Sequence, residues 1–370
     1  MKEIEKTDYF AESKKDFYSK FSQESVLCQG RHRKKTPLVT IIITTYKRPE
    51  LLKQALESAL NQKGFDDYQV LIVDNEGKPI EEETPTARLL KDYKDEKVIY
   101  YRHFPTVNCS RSDAAIRLVR SPWFVFLHDD DLLAESHLAI MTGIIKKHKE
   151  IKYLGCILKS FTFEQKIERA RTAGIYNYKV CKELRDTTCL GDWNTWLGAL
   201  VSRKHYIAMG GTSPASMGVG DMIVTAKFRH HFGTYKCVTD YPLYYYRQGE
   251  QQRSYELVRN GIVELNRIYE YCFYKYAINK YHKLTHKIWE RNIAYVTLEV
   301  CERYNNSSIY HANIDINRVI SEAGMPADAN EKGIRYYATK FLIGMYRKCI
   351  KYMDDIYMGK IKKSDVHITV

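Results

Sequence analysis

Three consecutive carboxylates, Asp129, Asp130 and Asp131, directly follow an apolar run and form the strongest chemical signal in the sequence. The aromatic and aliphatic residues 124–127 predict a buried strand that reaches the surface just before these carboxylates. Neighbouring carboxylates repel one another unless a cation neutralises them, and their oxygens are the ligands that Mg²⁺ and Mn²⁺ prefer. The pattern therefore predicts a divalent metal that carries a phosphate.

Helix capping is the alternative explanation for acidic residues at this place. An Asp after a strand often caps the next helix, and residues 134–138 begin a helical pattern. One Asp is enough for that role, so three in a row leave a surplus. The metal and phosphate interpretation accounts for all three.

The elements that must position these carboxylates alternate between strand and helix. Hydrophobic periodicity predicts strands at 38–44, 69–74, 98–102 and 124–127, and helices at 50–62, 86–93, 110–119 and 135–149. Alternation at this spacing indicates an α/β fold with a mostly parallel sheet that is covered by helices on both faces. A further strand is predicted at 153–159, and the looser pattern of residues 160–220 is where we expect an acceptor pocket.

The sequence predicts three parts. Residues 1–36 are polar and basic and predict an appended helical extension, and residues 37–255 carry the alternating α/β pattern. Residues 256–370 change to helical periodicity, which predicts a helical C-terminal domain. Its last apolar stripe includes Ile334, Tyr337 and Phe341, and residues 315–324 predict a short capped helix before Pro326.

Composition limits the class of protein and its partners. The 370 residues are 44% hydrophobic, and the longest apolar runs fall far short of the ~20 residues that cross a bilayer, so we expect a cytoplasmic protein. Nine cysteines without a CxxC pair or a Cys/His cluster argue against a zinc site. The net charge of +13 favours an anionic partner, such as a nucleotide, an acidic glycan, an anionic membrane or nucleic acid.

Polar residues follow the other predicted strands, and in open parallel sheets ligands bind at the carboxyl ends of the strands. Together with the acidic cluster they predict a nucleotide site, in which carboxylates accept from base and ribose and an aromatic ring stacks. The residues are Thr44, Thr45, Tyr46, Arg48, Asp74 and Asn75. Asp74 taken alone is equally well explained as a turn residue.

Four segments, 39–48, 70–75, 108–111 and 126–131, together resemble the family 2 glycosyltransferases of GT-A fold, in the order and spacing of that family. The resemblance covers roughly residues 37–255. It implies a Rossmann-like GT-A domain and an inverting enzyme that takes a sugar from a nucleoside diphosphate donor. The donor is commonly a UDP-sugar, and the cofactor is Mg²⁺ or Mn²⁺.

The resemblance also implies roles for individual residues. Asp130 corresponds to the principal metal ligand, with Asp131 in support, while Asp129 lies near the ribose and Arg111 belongs to the donor site. The sequence departs from the family at His128, where an Asp is frequent, and at Ser112, where Asn is common. We expect His128 to be a core histidine bonded to a backbone carbonyl rather than a metal ligand.

An inverting displacement needs a base that takes the proton of the attacking hydroxyl on the side opposite the leaving group. Asp221 is the candidate, because it precedes a helical run at 223–231, and the family places its base at a similar Glu-Asp step. Gly220 stands where the Glu would be. The alternative is that Asp221 only caps the helix, and the two roles are compatible.

Arg247 and Ser254 resemble the Arg and downstream Ser that close the active site of the family on the phosphates, and Arg253 is a second candidate for that task. A solvated charged loop is the alternative. Asp192, Trp193 and Trp196 lie in the acceptor-side region of the family, where indoles stack on sugars and Asp192 binds hydroxyls. The two tryptophans are equally well explained as core residues.

We expect an enzyme that transfers a hexose to a hydroxyl of a glycan or a lipid-linked acceptor in bacterial surface polysaccharide synthesis. Its basic surface and helical tail would give a peripheral contact with the anionic inner face of the membrane. A nucleotidyltransferase acting on sugar phosphates is a weaker alternative, since no Gly-rich loop follows the first strand. A basic nucleic-acid-binding protein is another, although no recognised motif supports it and nucleic acid is not an expected partner.

Overall fold

The computed structural model describes residues 24–104, 106, 111–162, 174–183, 196–212, 220–248, 301–302, 305–306, 313–322 and 364–368, with single positions between 333 and 345. The chain divides into two compact units. The larger unit contains residues 10–183, 194–247 and 361–370, and the smaller contains residues 1–9, 184–193 and 248–360. All residues that form the site described below belong to the larger unit.

The larger unit is an α/β structure, as the sequence predicts. Its strands are β1 (Glu24–Gln29), β2 (Val39–Thr45), β3 (Tyr68–Asp74), β4 (Val98–Phe104), β5 (Trp123–His128), β6 (Leu132–Leu133), β7 (Tyr153–Gly155), β8 (Leu158–Thr162), β9 (Gly174–Glu183), β10 (Leu200–Ser202), β11 (Thr234–Thr239), β12 (Tyr244–Gln248) and β13 (Ser364–Ile368). Its helices are α1 (Pro49–Leu60), α2 (Pro85–Leu90), α3 (Arg111–Ile116), α4 (His137–Lys147), α5 (Arg203–Ala208) and α6 (Gly220–His231).

Ten of these strands form one sheet in the order β1-β4-β3-β2-β5-β10-β7-β11-β9-β13. The pairs within β4-β3-β2-β5 are parallel, which confirms the arrangement expected from the alternating pattern. Outside this centre, β11 pairs parallel with β7, and the other neighbouring strands pair antiparallel. The carboxyl ends of β2, β3 and β5 therefore lie at one edge of the parallel centre.

Alternate residues of the central strands feed two separate cores. In β2, Ile41 and Ile43 join a cluster with Leu52 and Leu56 of α1, while Ile42 joins a second cluster with Phe228 of α6. Successive side chains of a strand point to opposite faces, so near-continuous apolar runs are needed when both faces are covered. This two-sided burial explains why the strands read as apolar runs rather than as alternating patterns.

Two terminal segments differ from the helical parts predicted for them. Within the predicted extension 1–36, residues Glu24–Gln29 form strand β1, which pairs antiparallel with β4 at the edge of the sheet. Within the predicted helical domain 256–370, Ser364–Ile368 form strand β13 against β9. Each strand gains its hydrogen-bonding partner from a distant part of the chain. Neither strand was predicted, because the local sequence does not reveal a partner that lies in a distant part of the chain.

The predicted strand at 153–159 is two strands, β7 and β8. The first joins the large sheet, and the second joins a three-stranded sheet in the order β6-β12-β8. In that small sheet, β6 pairs antiparallel with β12, Tyr244 opposite Leu133 and Tyr245 opposite Leu132. The small sheet thus places β12 directly beside the residues that follow the acidic cluster.

In the smaller unit, Ile316–Glu322 forms helix α7, in agreement with the helix predicted at 315–324. The Asp315 side chain accepts from the backbone N–H groups of Asn317 and Arg318, which caps the first turn. The apolar stripes predicted between residues 262 and 300 lie outside the described residues. Across the described ranges, none of the helices combines the length and apolar character needed to cross a membrane.

Candidate active site

The ends of three parallel strands bring the predicted polar residues to one edge of the sheet. Thr45 at the end of β2 is the register partner of Asp74 at the end of β3. On the other side of β2, Thr44 is the register partner of His128 at the end of β5. The backbone N–H of Asn75 donates to the carbonyl of Thr45 at 3.0 Å, so the first two strand ends remain joined past the sheet.

A tight turn folds the acidic cluster back on itself. The backbone N–H of Asp131 donates to the carbonyl of His128 at 3.2 Å, which closes a four-residue turn with Asp129 and Asp130 at its corner. Side-chain ligand atoms of His128, Asp130 and Asp131 consequently lie within 4.8 Å of one another. We call residues 128–131 the acidic turn.

The loop between β2 and α1 carries a guanidinium to the acidic turn. Lys47 has a φ of 56°, an unusual left-handed conformation for a residue other than glycine, where the chain leaves the strand. Arg48 follows, with Pro49 at the first helical position. Its Nη1 atom lies 3.2 Å from Oδ2 of Asp130 and 3.6 Å from Oδ1 of Asp129. Arg48 therefore partly neutralises two of the three carboxylates.

Asp129 turns inward from the corner of the acidic turn. It is 7% exposed, and its Oδ2 accepts a hydrogen bond from the Thr45 hydroxyl at 2.9 Å. Burial raises the pKa of the Asp129 carboxyl to about 6, and the charge of Asp130 adds to the rise. The Arg48 guanidinium and the Thr45 hydroxyl oppose that shift. Thr45 and Arg48 thus tie the predicted donor-site loop to the turn.

Asp131 is the most buried member of the turn. The Tyr244 hydroxyl donates to its Oδ2 at 2.6 Å, and the backbone N–H of Arg247 donates to its Oδ1 at 2.7 Å. Burial raises the pKa of the Asp131 carboxyl well above its usual range, followed by the charge of Asp130, and the two hydrogen bonds oppose the rise. Each oxygen of Asp131 therefore has a partner on β12.

Arg247, whose backbone N–H is bound to Asp131, is also held through its guanidinium. The Arg247 Nε atom donates to the backbone carbonyl of Asp130 at 2.6 Å, and Nη2 donates to Gln54 Oε1 at 2.8 Å. The guanidinium carbon lies 4.5 Å from the centre of the Phe161 ring. Arg247 is 4% exposed, which excludes the solvated loop that the sequence left open for this residue. A second guanidinium therefore stands beside the acidic turn.

Asp74 is buried in a network of neutral donors. Its Oδ2 accepts from the hydroxyls of Thr84 at 3.1 Å and Tyr100 at 3.0 Å, and its Oδ1 accepts from the backbone N–H of Glu76 at 2.9 Å. The side chain is 1% exposed. Asp74 therefore orders the loop that follows β3. It makes the local bond of a turn residue to Glu76 and also binds Thr84 and Tyr100, which are distant in the chain.

Two sequence interpretations are settled by burial. The preference for His128 as a core histidine is wrong, because 40% of its side chain is exposed and its Nδ1 faces Oδ2 of Asp131 at 3.7 Å. Trp196, by contrast, is 2% exposed and stacks on Phe126 with ring centres 4.8 Å apart and on Tyr206 at 5.9 Å. Of the two explanations for Trp196, this packing is that of a core residue.

The remaining predicted site residues are placed only in part. Tyr46 is 44% exposed at the end of β2, with the Lys47 ammonium 5.2 Å from its ring centre. Arg111 is the first residue of α3 and Asp221 the second residue of α6, and their side chains are not described. Asp192, Trp193, Arg253 and Ser254 lie outside the described residues.

The sequence did not reveal the buried residues that fix the positions of the site residues. Arg102 is buried and donates to the carbonyls of Lys78, Pro79, Ile80 and Glu82, which fixes the loop after β3. Tyr244, Gln54 and Phe161 hold Asp131 and Arg247 in the same way. No spacing rule could have found them, because each contact joins residues from different elements.

The donor set of the acidic turn fits a divalent cation. Carboxylate oxygens of Asp130 and Asp131 and an imidazole nitrogen of His128 lie within 4.8 Å of one another, and these atom types are ligands of divalent ions. Atoms bound to one ion at about 2.1 Å lie at most about 4.2 Å apart, so small rotations of the His128 and Asp130 side chains would bring their ligand atoms to one ion. The residues present are thus compatible with the metal that the sequence predicts.

Comparisons with known proteins agree with this geometry. Residues 40–202 match the model of glycosyl transferase family 2. The chain is 27% identical over 143 residues to the uncharacterized glycosyltransferase MJ1057 of Methanocaldococcus jannaschii. That alignment covers 35% of this chain and 48% of the relative, so the chain spans about half the length of the curated protein it matches.

Two solved structures show the fold. TarS 1-349 of S. aureus is 13% identical, with a TM-score of 0.51 over 86% of this chain and 89% of that one. The same protein in complex with UDP-GlcNAc is 11% identical, with a TM-score of 0.51 over 82% of this chain and 79% of that one. The fold is that of the GT-A glycosyltransferases, and residues 40–202 are similar to glycosyl transferase family 2.

Proposed function

We propose that the chain is an inverting glycosyltransferase that moves a sugar from a nucleoside diphosphate to a hydroxyl of a glycan or a lipid-linked acceptor. The observation that carries the proposal is the acidic turn with the two guanidiniums of Arg48 and Arg247 at the carboxyl ends of parallel strands. Ligands of open α/β sheets bind at that edge. The match of residues 40–202 to the model of glycosyl transferase family 2 supports the reaction class.

The nucleoside would bind at the ends of β2 and β3. Tyr46, exposed at 44%, offers a ring face to a base, and Thr44 and Thr45 supply polar atoms beside it. Asp74 orders the loop after β3 on the same side, through its bond to the Glu76 amide. A UDP-sugar is the proposed donor, in keeping with the UDP-GlcNAc complex of the structurally similar TarS.

The diphosphate would lie between the acidic turn and the guanidiniums. Asp130 is the proposed principal ligand of Mg²⁺ or Mn²⁺, and Asp129 with its Thr45 partner lies on the ribose side. A divalent ion bound there would neutralise charge that develops on the departing diphosphate. The Arg247 guanidinium is held by two hydrogen bonds and a ring contact, and its backbone N–H is held by Asp131, so its charge is oriented before the reaction. Arg111 and Ser254 complete the proposed donor site.

Asp221 is the proposed base that takes the proton from the acceptor hydroxyl. It lies in the first turn of α6, a 12-residue helix, where the helix dipole favours a negative charge. A carboxylate at that place is a group that could take the proton of the attacking hydroxyl. On the acceptor side, Asp192 and Trp193 are the proposed sugar contacts, while Trp196 belongs to the core.

A lipid-linked acceptor would bring the chain to an anionic membrane surface. Ile334, Tyr337, Phe341 and Met345 are 91%, 57%, 66% and 48% exposed, and their spacing places them along one face of a helix. Exposed apolar residues at this spacing, in a chain of net charge +13, are typical of interfacial helices. We propose peripheral attachment to the inner leaflet during the synthesis of a bacterial surface polysaccharide.

The donor is tested by thermal unfolding of the purified chain with UDP, GDP and dTDP, each with and without Mn²⁺. A ligand that binds only the native state stabilises it by about 2.7 kcal/mol at 100 times its Kd. We expect UDP with Mn²⁺ to raise the Tm most and UDP in EDTA to raise it little. No stabilisation by any nucleotide with metal would contradict the proposed function.

Membrane attachment is tested by flotation with vesicles that contain 30% anionic lipid, at about 0.1 M and 1 M salt. We expect binding to anionic vesicles that falls at high salt, and weaker binding after Ile334→Glu with Phe341→Glu. Asp66→Asn, a change in the larger unit, is the control. Equal binding to neutral vesicles would exclude electrostatic attachment.

A further inference from the structure

His128 places an imidazole at the acidic turn, where the family frequently has an Asp. It is the last residue of β5, and 40% of its side chain is exposed on the ligand side of the strand end. Its Nδ1 atom lies 3.7 Å from Oδ2 of Asp131, and a ligand atom of its ring lies within 4.8 Å of an Asp130 oxygen. The ring therefore stands where an ion bound to Asp130 would be within reach.

We propose that His128 and Asp130 together bind the divalent ion, and that the imidazole nitrogen makes this site prefer transition-metal ions over Mg²⁺. The inference rests on the proposed function, because it concerns the metal that would accompany the nucleotide. It revises the ligand pair expected from the sequence, in which Asp131 was the second ligand and His128 had no part in metal binding.

The partners of Asp131 argue for His128 as the second ligand. Both carboxylate oxygens of Asp131 accept hydrogen bonds from β12, at 2.6 Å from the Tyr244 hydroxyl and at 2.7 Å from the Arg247 amide. The side chain has no exposed area, so it cannot turn outward without breaking those bonds. Asp131 is better explained as a positioning residue that holds Arg247 beside Asp130.

The ring of His128 makes no such hydrogen bonds to the described residues. Among the described residues, the polar atom that faces its ring nitrogen Nδ1 is Oδ2 of Asp131. The two atoms are 3.7 Å apart, which is longer than a hydrogen bond. The edge of the ring packs against Phe126, with centres 6.1 Å apart and planes at 85°. Phe126 is held by Trp196, on which it stacks. An apolar wall thus orients the imidazole while its nitrogen stays accessible.

The nitrogen changes the kind of ion that the site prefers. Mg²⁺ is a hard ion that binds oxygen and keeps its waters, whereas imidazole binds transition ions with an affinity that rises from Mn²⁺ to Co²⁺ and Ni²⁺. A site of carboxylates and water alone suits Mg²⁺ and Mn²⁺ and discriminates less between them. Exchange of one Asp for His therefore favours Mn²⁺ and Co²⁺ without any change in the rest of the turn.

Pulsed electron paramagnetic resonance of Mn²⁺ bound to the full chain with UDP detects the nitrogen directly, without an activity assay. We expect ¹⁴N coupling from a directly bound imidazole in the unmodified chain and in His148→Gln, a control whose side chain pairs with Glu150 beyond the end of α4. The coupling should be lost in His128→Asp. Absence of coupling in the unmodified chain, or its persistence in His128→Asp, would overturn the proposal.

Calorimetric titration with Co²⁺ and Mg²⁺ in the presence of UDP tests the preference. We expect Co²⁺ to bind at least about 10-fold more tightly than Mg²⁺, and the ratio to fall by about 10-fold in His128→Asp. An unchanged ratio would overturn the inference. Asp130→Asn separates this failure from that of the proposed function. If Asp130→Asn abolishes binding while His128→Asp changes nothing, the proposed function stands and His128 is excluded; if neither variant weakens binding, both fail.

Discussion

Two carboxylates at the carboxyl ends of parallel strands differ in their burial and in the groups that hold them. At the end of β3, Asp74 accepts three hydrogen bonds from neutral groups and is 1% exposed. Beyond the end of β5, Asp130 faces the guanidinium of Arg48 at 3.2 Å, and 12% of its side chain is exposed. Both lie at the edge where open parallel sheets bind ligands.

The difference separates carboxylates that support the site from carboxylates that meet a ligand. Asp74 is held by hydroxyls and an amide fixed in the fold, so its loss would disturb the loop after β3. The partner of Asp130 is a partly exposed arginine side chain, whose contact a bound cation could replace at little cost to the fold. By the same reasoning Asp131, which is fully buried, supports the site, whereas its neighbour Asp130 would meet the ligand.

Asp130→Asn is expected to have the largest effect on activity. Sugar transfer should fall by about 10³-fold or more, equivalent to about 4 kcal/mol in the barrier, because the divalent ion loses its principal ligand. The Tm should change little, since the side-chain partner that Asp130 loses, Arg48, is partly exposed. Turnover of a UDP-sugar and thermal unfolding measure the two quantities. Full activity of the variant would show that Asp130 is not a ligand-binding carboxylate.

Asp74→Ala is expected to have the opposite profile. The free energy of unfolding should fall by about 3 to 4 kcal/mol, because the hydroxyls of Thr84 and Tyr100 and the Glu76 amide lose their acceptor in a buried place. Urea denaturation gives the value. Asp66→Ala is the matched control, with 92% of its side chain exposed, and should cost less than about 0.5 kcal/mol. Equal losses in both variants would contradict the supporting role of Asp74.

Buried and exposed histidines provide a further contrast through pH. Burial lowers the pKa of the His137 imidazole to about 4, and its Nε2 lies 2.7 Å from the carbonyl of Gly198. The unfolded chain, with an ordinary pKa near 6.5, binds more protons between pH 6.5 and 4. Stability is therefore fully present above pH 6.5 and declines as the pH falls toward 4, by about 3 kcal/mol from this group.

Urea denaturation at pH 7.5 and 4.5 measures that decline. In His137→Gln the difference between the two pH values should shrink by about 2 kcal/mol, even if the variant is less stable at both. His148→Gln, which changes an exposed histidine, should leave the difference unchanged. A pH dependence that is the same in His137→Gln and in the unmodified chain would show that His137 is not the group responsible.

Tyr244→Phe is expected to have the smallest of these effects on stability. Loss of the hydroxyl that donates to Asp131 should cost about 1 to 1.5 kcal/mol in the free energy of unfolding. Activity should fall by a few-fold to about 10-fold, because Asp131 positions Arg247 less firmly. Tyr235→Phe, a change on β11, serves as a control in both measurements. An activity loss as large as that of Asp130→Asn would mean that Asp131 itself binds the ion.

The parts of the fold and site that were predictable depend on local signals. The central strands are near-continuous apolar runs, and helix α1 shows its start in Pro49 and its buried face in Leu52 and Leu56. The carboxylates of the acidic turn are adjacent in the chain, so their convergence follows from a single strand end. These signals were enough to predict the parallel centre of the sheet and the place of the acidic turn at its edge.

The remaining features depend on contacts between distant residues. Tyr244 reaches Asp131 across 113 residues, and Gln54 reaches Arg247 across 193. The apolar wall behind His128 includes Trp196, whose place in the core could not be separated from an acceptor role by residue type alone. For the same reason strand β1 was not predicted within the N-terminal extension, since its partner β4 lies far along the chain.

Calorimetric titration of UDP into the full chain, with Mn²⁺ or with EDTA, tests most directly whether the acidic turn holds a cation for a nucleoside diphosphate. We predict that Mn²⁺ tightens UDP binding by at least about 100-fold in the unmodified chain and in Asp66→Asn, and that Asp130→Asn loses this gain. UDP binding of equal strength with and without Mn²⁺, or a full metal effect in Asp130→Asn, would contradict the account.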